Sequence, residues 1–388
     1  MTDKNKSIKK VPNKGESNVP HLRFPGFEGE WEVKKLGEVA PLQRGFDLPN
    51  QNIVDGNIPI VYSNGILKFH NQSKSKAPGL ITGRSGTIGK FTFIEDGEYW
   101  PHNTSLWVTD FCGNIPKYIY YLYQTINIEQ FSTGSGVPTL NRNDVHRKKC
   151  SIPSTAEQKK IAEFLSALDS KIQTQKKTID VLTVLKTSLS SKIFSREIRF
   201  KDEKGNDFPG WESKKLGDIS NITMGQSPDS SSYNNDGIGI PLIQGNADIV
   251  NRKSNPRQYT NAPTKICKVG DILLTVRAPV GYVAKSYHNA CIGRGMCLLN
   301  NNKFSLSEFI YQFLLHFENK WKSIEQGSTF TSVNSSDINS IRLNVPSLPE
   351  QQKIANFLFS IDAKIDVENQ ILQQLEMQKK YFLANLFI

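Results

Sequence analysis

Pro153-Ser154-Thr155-Ala156-Glu157-Gln158-Lys159-Lys160-Ile161-Ala162-Glu163-Phe164-Leu165 is spelled a second time, 193 positions on. The second spelling is Pro346-Ser347-Leu348-Pro349-Glu350-Gln351-Gln352-Lys353-Ile354-Ala355-Asn356-Phe357-Leu358. Aligned without a gap, residues 134–172 and 327–365 share 16 of 39 positions, far above chance for a self-comparison. A shorter repeat opens each copy. Phe24-Pro25-Gly26 leads to Trp31-Glu32-Val33-Lys34-Lys35-Leu36-Gly37-Glu38, and Phe208-Pro209-Gly210 leads to Trp211-Glu212-Ser213-Lys214-Lys215-Leu216-Gly217-Asp218. Between these shared ends the copies diverge, so a duplicated frame surrounds two unlike inserts. One architecture that reads two different things has that pattern.

The repeated block predicts a long helix in each copy. Ser154-x-x-Glu157 after Pro153 and Ser347-x-x-Glu350 after Pro346 read as capping boxes, and Pro349 is tolerated in a first turn that needs no donor from it. Beyond the caps, apolar residues recur at steps of three and four: Ile161, Leu165, Leu168, Ile172, Ile179, Leu182, Leu189 and Ile193, then Ile354, Leu358, Ile361, Ile365, Leu372, Leu375, Phe382 and Leu386. Gln175 and Lys186 interrupt the first stripe, Glu368 and Lys379 the second. About forty residues of helix span some 60 Å, more than one small domain, and two equal stripes can bury each other as an antiparallel pair.

The inserts read as mixed α/β with short strands. Expected strands are 58–62, 79–82, 90–94 and 105–108 in the first, and 240–244, 271–276 and 295–299 in the second, each β-rich and bounded by turn residues. Helices are expected at 115–129 and 306–325, their aromatic residues serving as core and not as base-stacking platforms. The predicted organisation is a disordered leader (1–23), a first insert (24–152), a central helix (153–200), a second insert with its charged linker (201–345) and a C-terminal helix (346–388). The fold class is α/β (α+β): two domains with mixed sheets, separated by two long antiparallel coiled-coil helices with internal pseudo-twofold symmetry.

Composition narrows the function. A net charge of +11 and a pI near 9.2 favour a polyanionic partner. No apolar run approaches a membrane span and the N-terminus lacks a signal-peptide core, so no membrane partner is expected and the cytoplasm is the expected compartment. The five cysteines form no C-x-x-C pair and the six histidines are scattered, which leaves zinc and redox chemistry without their spacing. Gly83-Arg84-Ser85-Gly86-Thr87-Ile88-Gly89-Lys90 fails as a phosphate loop: five residues separate the outer glycines where four are needed, and Phe91 stands where Ser or Thr would hold magnesium. Neither an amino-methyltransferase tetrapeptide nor a nuclease acid pattern is present. The expectation is a non-enzyme with no cofactor and no catalytic or metal-binding residue of its own.

What remains is recognition. Arg84 and Arg277 occupy equivalent positions 193 apart, each in a Gly-rich strand–turn–strand. Arginine can grip a guanine edge with two hydrogen bonds, and Asn or Gln suits adenine. The candidate DNA-binding residues are Ser63, Asn64, Arg84, Ser85, Asn103, Ser135, Asn141 and Arg142 in the first insert. In the second they are Gln226, Gln244, Asn246, Arg277, Arg294, Ser328, Thr329 and Asn334. For each one taken singly, bracing of the fold or plain solvation is the competing reading.

Variable domain, long helix, variable domain, long helix: with its doubled Phe-Pro-Gly…Trp-x-x-Lys-Lys-Leu-Gly openings and Pro-Ser-x-x-Glu-Gln-x-Lys-Ile-Ala-x-Phe-Leu…Asp-x-Lys-Ile helix starts, the chain resembles the specificity (S) subunits of type I restriction–modification systems. The resemblance covers everything after the leader. It implies a non-catalytic adaptor in which each insert is a target recognition domain reading one half of a split site in double-stranded DNA. It also implies that the helices are spacers that dock two methyltransferase (M) subunits, with up to two restriction (R) subunits joining. S-adenosylmethionine and ATP would belong to those partners. Two other readings stand beside it: a self-sufficient DNA methyltransferase or nuclease, and a structural coiled-coil protein whose charge is incidental.

Overall fold

The computed structural model describes residues 18–133, 138–325 and 332–388. Its contacts divide the chain into two compact units, residues 1–176 with 370–388, and residues 177–369. The central helix, Thr155–Phe194, and the C-terminal helix, Leu348–Asn385, therefore contribute to both units.

In the first unit the four expected strands and four that the sequence analysis did not single out form two four-stranded sheets. One has the order Leu42–Arg44, Ser105–Val108, Gly79–Gly83, Phe91–Ile94; the other Gly65–His70, Ile58–Tyr62, Glu98–Pro101, Ser75–Lys76. The second sheet is mixed, because Ile58–Tyr62 runs parallel to Glu98–Pro101 with Ile60 opposite Trp100. The second unit carries a six-stranded and a five-stranded sheet. Its Ile240–Ile243 likewise runs parallel to Ala290–Ile292, with Leu242 opposite Cys291. β-Branched and aromatic residues bounded by Gly, Asn and Asp made the expected strands among these legible.

The shared ends of each insert close on one another. Glu32–Lys35 pairs antiparallel with Lys149–Ile152, from Glu32↔Ile152 to Lys35↔Lys149. Glu212–Lys215 pairs in the same way with Arg342–Val345, from Glu212↔Val345 to Lys215↔Arg342. A short helix follows each opening strand, at Leu36–Val39 and Leu216–Ile219, and Glu38 and Asp218 accept the Lys35 and Lys215 amides at 3.0 and 2.9 Å. The repeated glycine has a steric reason. A Cβ on Gly37 would press on the His146 side chain, and one on Gly217 would overlap the Asn339 carboxamide.

The aromatic helices lie in the cores. Tyr118, Tyr121 and Tyr123 on Pro116–Thr125, and Phe309, Tyr311, Phe313 and Trp321 on Ser307–Glu325, are buried. Within each unit the two long helices run antiparallel. In the first, Lys379 reaches Asp169 at 2.7 Å and Lys176 reaches Glu376 at 2.8 Å; in the second, Lys186 reaches Asp362 at 2.5 Å. Two of the polar interruptions in the stripes are thus the cationic halves of ion pairs. Asp169 also accepts from the Tyr121 hydroxyl and Asp362 from the Gln312 amide, both at 2.8 Å, which fastens each insert's own helix to the pair.

Two sequence expectations need correction. The capping boxes do not close. Ser154 Oγ accepts from the Glu157 amide at 3.4 Å, but the Glu157 carboxylate takes Arg23 Nε and Nη2, both at 2.8 Å. Glu350 takes Arg199 at 3.1 and 2.7 Å together with Trp211 Nε1 at 2.9 Å. Two charge-assisted bonds outcompete one neutral bond to a backbone amide. The second correction concerns the leader. Leu22 donates its amide to Asn385 at 2.9 Å and Arg23 holds Glu157, so residues 18–23 belong to the first unit; residues 1–17 lie outside the described residues.

The glutamine beside each of these glutamates is spent as fully. Gln158 is buried, accepts from the Ile115 amide at 2.9 Å and donates to Asn114 and the Pro153 carbonyl. Gln351 is buried, accepts from the Leu306 amide at 2.9 Å and donates to the Phe304 and Pro346 carbonyls. The doubled Glu-Gln spelling is a lock that fixes the start of each long helix to the insert before it.

Candidate nucleic-acid interface

In the first unit three turns meet at one edge of the sheets. Ser63 and Asn64 sit between Ile58–Tyr62 and Gly65–His70; Arg84 and Ser85 follow Gly79–Gly83; Asn103 lies between Glu98–Pro101 and Ser105–Val108. Thr104 ties them together. Its hydroxyl accepts from the Ser63 amide at 3.4 Å, and its carbonyl accepts from the Arg84 and Ser85 amides at 2.9 and 3.2 Å. Lys90 Nζ donates to the Asn64 carbonyl at 2.6 Å, so the lysine that tempted a phosphate-loop reading braces a turn. Asn103 donates to Asp47. The segment leading to Asn141 joins the same edge, since Leu140 donates to the Arg84 carbonyl at 2.7 Å.

In the second unit Gln244, Asn246, Arg277 and Arg294 line one cavity of about 140 Å3 together with Ser227, Gly245, Ala278 and Gly295. Ser227 Oγ accepts from the Arg294 amide at 3.0 Å, and Gln226, which is exposed, donates its amide to the Ile292 carbonyl at 2.9 Å beside them. Loops after four different strands supply these residues, so two arginines and two carboxamides, the side chains that suit guanine and adenine edges, line one cavity. Among the described residues, the guanidinium groups of Arg84, Arg277 and Arg294 have no hydrogen-bond or ion-pair partner. The arginines of the frame differ, for Arg23 and Arg199 each hold a glutamate.

Two candidates carry a structural role. Asn141 Oδ1 accepts from the Asn143 amide at 3.0 Å, and Asn334 Oδ1 accepts from the Ser336 and Asp337 amides at 2.8 and 3.1 Å, so both cap short helices. Arg142 is exposed in the first turn after its cap. Ser135, Ser328 and Thr329 lie outside the described residues. Sequence reasoning missed Gln258 and Asp248, which hold the Gln244 turn, and gave Lys90 no part in bracing one. Only Asp248 carried a signal, as an Asp closing the polar turn Gln244-Gly245-Asn246-Ala247-Asp248. Among the described residues, no group of three or more His, Cys, Asp or Glu is placed to hold a metal, and no helix is long and apolar enough to cross a membrane.

The family described as type I restriction modification DNA specificity domain matches this chain twice, over residues 28–184 and 209–377, and the chain belongs to that family. Among curated relatives, the protein of Methanocaldococcus jannaschii assigned as the MjaX type I restriction enzyme specificity subunit is 35% identical over 278 residues, 68% of this chain and 65% of the relative. The MjaVIII specificity subunit of the same organism is 24% identical over 286 residues, 67% of each chain. The chain therefore spans about two thirds of the length of these relatives. Among solved structures, the type I restriction–modification S subunit from M. genitalium superposes with a TM-score of 0.65 at 17% identity, covering 95% of this chain and 99% of that one. A chain from a study of assembly and conformational transition of the type I R-M system gives 0.60 at 22% identity over the same shares. These likenesses establish the fold: two domains with mixed sheets, and two long antiparallel helices.

Proposed function

We propose that this chain is the non-catalytic specificity subunit of a type I restriction–modification complex, and that each unit reads one half of a bipartite target in double-stranded DNA. The exposed turns of each unit are the reading surface, and the long helices dock two methyltransferase subunits and, with them, up to two restriction subunits. Catalysis and its cofactors belong to those partners.

The observation that carries the reading is the pair of matching ladders, Glu32–Lys35 with Lys149–Ile152 and Glu212–Lys215 with Arg342–Val345. Each insert leaves and re-enters the frame at adjacent points, so its loops can vary without disturbing the frame. The unpaired arginines and the +11 charge supply the attraction to DNA.

The test is to exchange residues 24–152 for another recognition domain and to sequence methylated DNA from cells carrying the complex. One half of the methylated motif should change while the other half stays. A change in both halves, or in neither, would overturn the modular reading.

A further inference from the structure

We infer that Asp248 is the positioning residue of the second recognition unit: its buried carboxylate holds the Gln244-Gly245-Asn246 turn so that Gln244 and Asn246 face a base edge. The inference rests on the DNA-reading role proposed above. Asp248 is 4% exposed, at the end of the single turn Asn246–Asp248, and all four of its polar atoms are engaged. Oδ2 accepts from the Gln244 amide at 2.8 Å and Oδ1 from Arg257 Nε at 2.9 Å. Its amide donates to the Gly245 carbonyl at 3.0 Å, and its carbonyl accepts from the Asn255 amide at 2.7 Å.

The same turn is gripped from the other side. Gly293 and Gly295 donate to the Ile243 and Gln244 carbonyls at 2.8 and 3.1 Å, and a Cβ on Gly295 would overlap the Gln244 carbonyl oxygen. Gln258 Oε1 accepts from Gln244 Nε2 at 3.4 Å. That bond uses one of the two amide hydrogens. The second N–H and Oε1 remain, which is the donor–acceptor pair that matches N7 and the exocyclic amine of adenine. The ligand class is therefore a duplex half-site containing adenine, with Arg277 and Arg294 beside it for guanine or phosphate.

A carboxylate is needed because both of its neighbours are donors. An amide at position 248 has one acceptor oxygen, so Asp248→Asn turns an NH2 group against either the Gln244 amide or the Arg257 guanidinium without changing size. Arg257, whose side chain is 64% exposed, supplies the counter-charge for the buried carboxylate.

The experiment is motif sequencing of methylated DNA from cells carrying the full complex with the wild-type, Asp248→Asn, Arg257→Ala or Gln258→Ala chain, beside thermal unfolding of each. With an unchanged unfolding midpoint, Asp248→Asn should lower base preference about tenfold in one half of the motif and leave the other half intact. Arg257→Ala should loosen the same half less. If Asp248→Asn does not fold, the two milder variants decide, and loosening confined to that half is the expected result. Unchanged preference in all folded variants, or equal weakening of both halves, overturns the inference. A wild-type complex with no sequence preference would instead sink the DNA-reading role itself.

Discussion

Lys379 Nζ lies 2.7 Å from the Asp169 carboxylate, and the same pair recurs 193 residues displaced on each side as Lys186 and Asp362 at 2.5 Å. In each unit a lysine that breaks the apolar stripe of one long helix meets an aspartate of the other. A polar pair set in such a seam disfavours shifted registers and the parallel arrangement, because either would strand a half-buried charge.

A double-mutant cycle on this pair should show it. Lys379→Met is expected to cost about 1 kcal/mol, since the lysine and aspartate side chains are 20% and 31% exposed. Asp169→Ala should cost more, because the Tyr121 hydroxyl also loses its 2.8 Å acceptor. Urea unfolding of both single variants and the double variant measures the coupling. Strict additivity would mean that the pair adds nothing to the seam.

The arginine–glutamate locks should rank among the more costly polar contacts to break. Arg199→Ala leaves Glu350, 0% exposed, with Trp211 as its remaining side-chain donor and should destabilise the second unit by about 3 kcal/mol. Arg23→Ala should act in the same way on Glu157 in the first unit. Arg199→Lys should rescue poorly because an ammonium cannot reproduce the two-pronged contact, whereas adding Glu350→Gln to Arg199→Ala should restore part of the loss. Denaturant midpoints of the full chain check all four.

His146 links stability to pH. Burial first, then the nearby Arg142 charge, hold its pKa below the usual 6.5, and its Nε2 accepts from the Leu42 amide at 2.8 Å. Below about pH 6.5 the unfolded chain binds this proton and the folded chain does not, so stability must fall as pH falls through that window. The contribution is fully present above pH 6.5. His146→Gln keeps an acceptor without a titrating group, so its stability should decline less between pH 6.5 and 5 than that of the wild type. Parallel slopes for the two proteins would count against the effect.

Arg277 and Arg294 should separate base reading from phosphate contact. If Arg277 reads a guanine, Arg277→Ala should weaken specific binding by about 1–3 kcal/mol and relax the motif at one position. If Arg294 meets phosphate, Arg294→Ala should weaken all sequences alike and flatten the dependence of log K on log salt by about one unit. Binding of the complex to cognate and scrambled duplexes at several salt concentrations distinguishes the two. Arg84→Ala is the matching experiment in the first unit.

Periodicity and repetition, read from residues alone, located both long helices, the duplicated frame and seven of the strands, among them Ile58–Tyr62, Gly79–Gly83 and Ile240–Ile243. Such signals are local: a β-rich run between turn residues, or an apolar step of three and four, reports backbone state wherever it occurs. What each polar residue does was decided by partners far along the chain. Glu157 looked like half of a capping box until Arg23, 134 positions away, claimed it; Lys379 looked like a flaw in a stripe until Asp169 stood opposite. Asn141 and Asn334 were candidate readers and are also helix caps, while Asp248 and Gln258 drew no attention and hold the turn on which Gln244 sits. A hydrogen bond depends on direction and on a few tenths of an ångström, and only packing brings remote donors and acceptors to that distance, so the frame could be read from order and spacing while the candidate site had to await the fold.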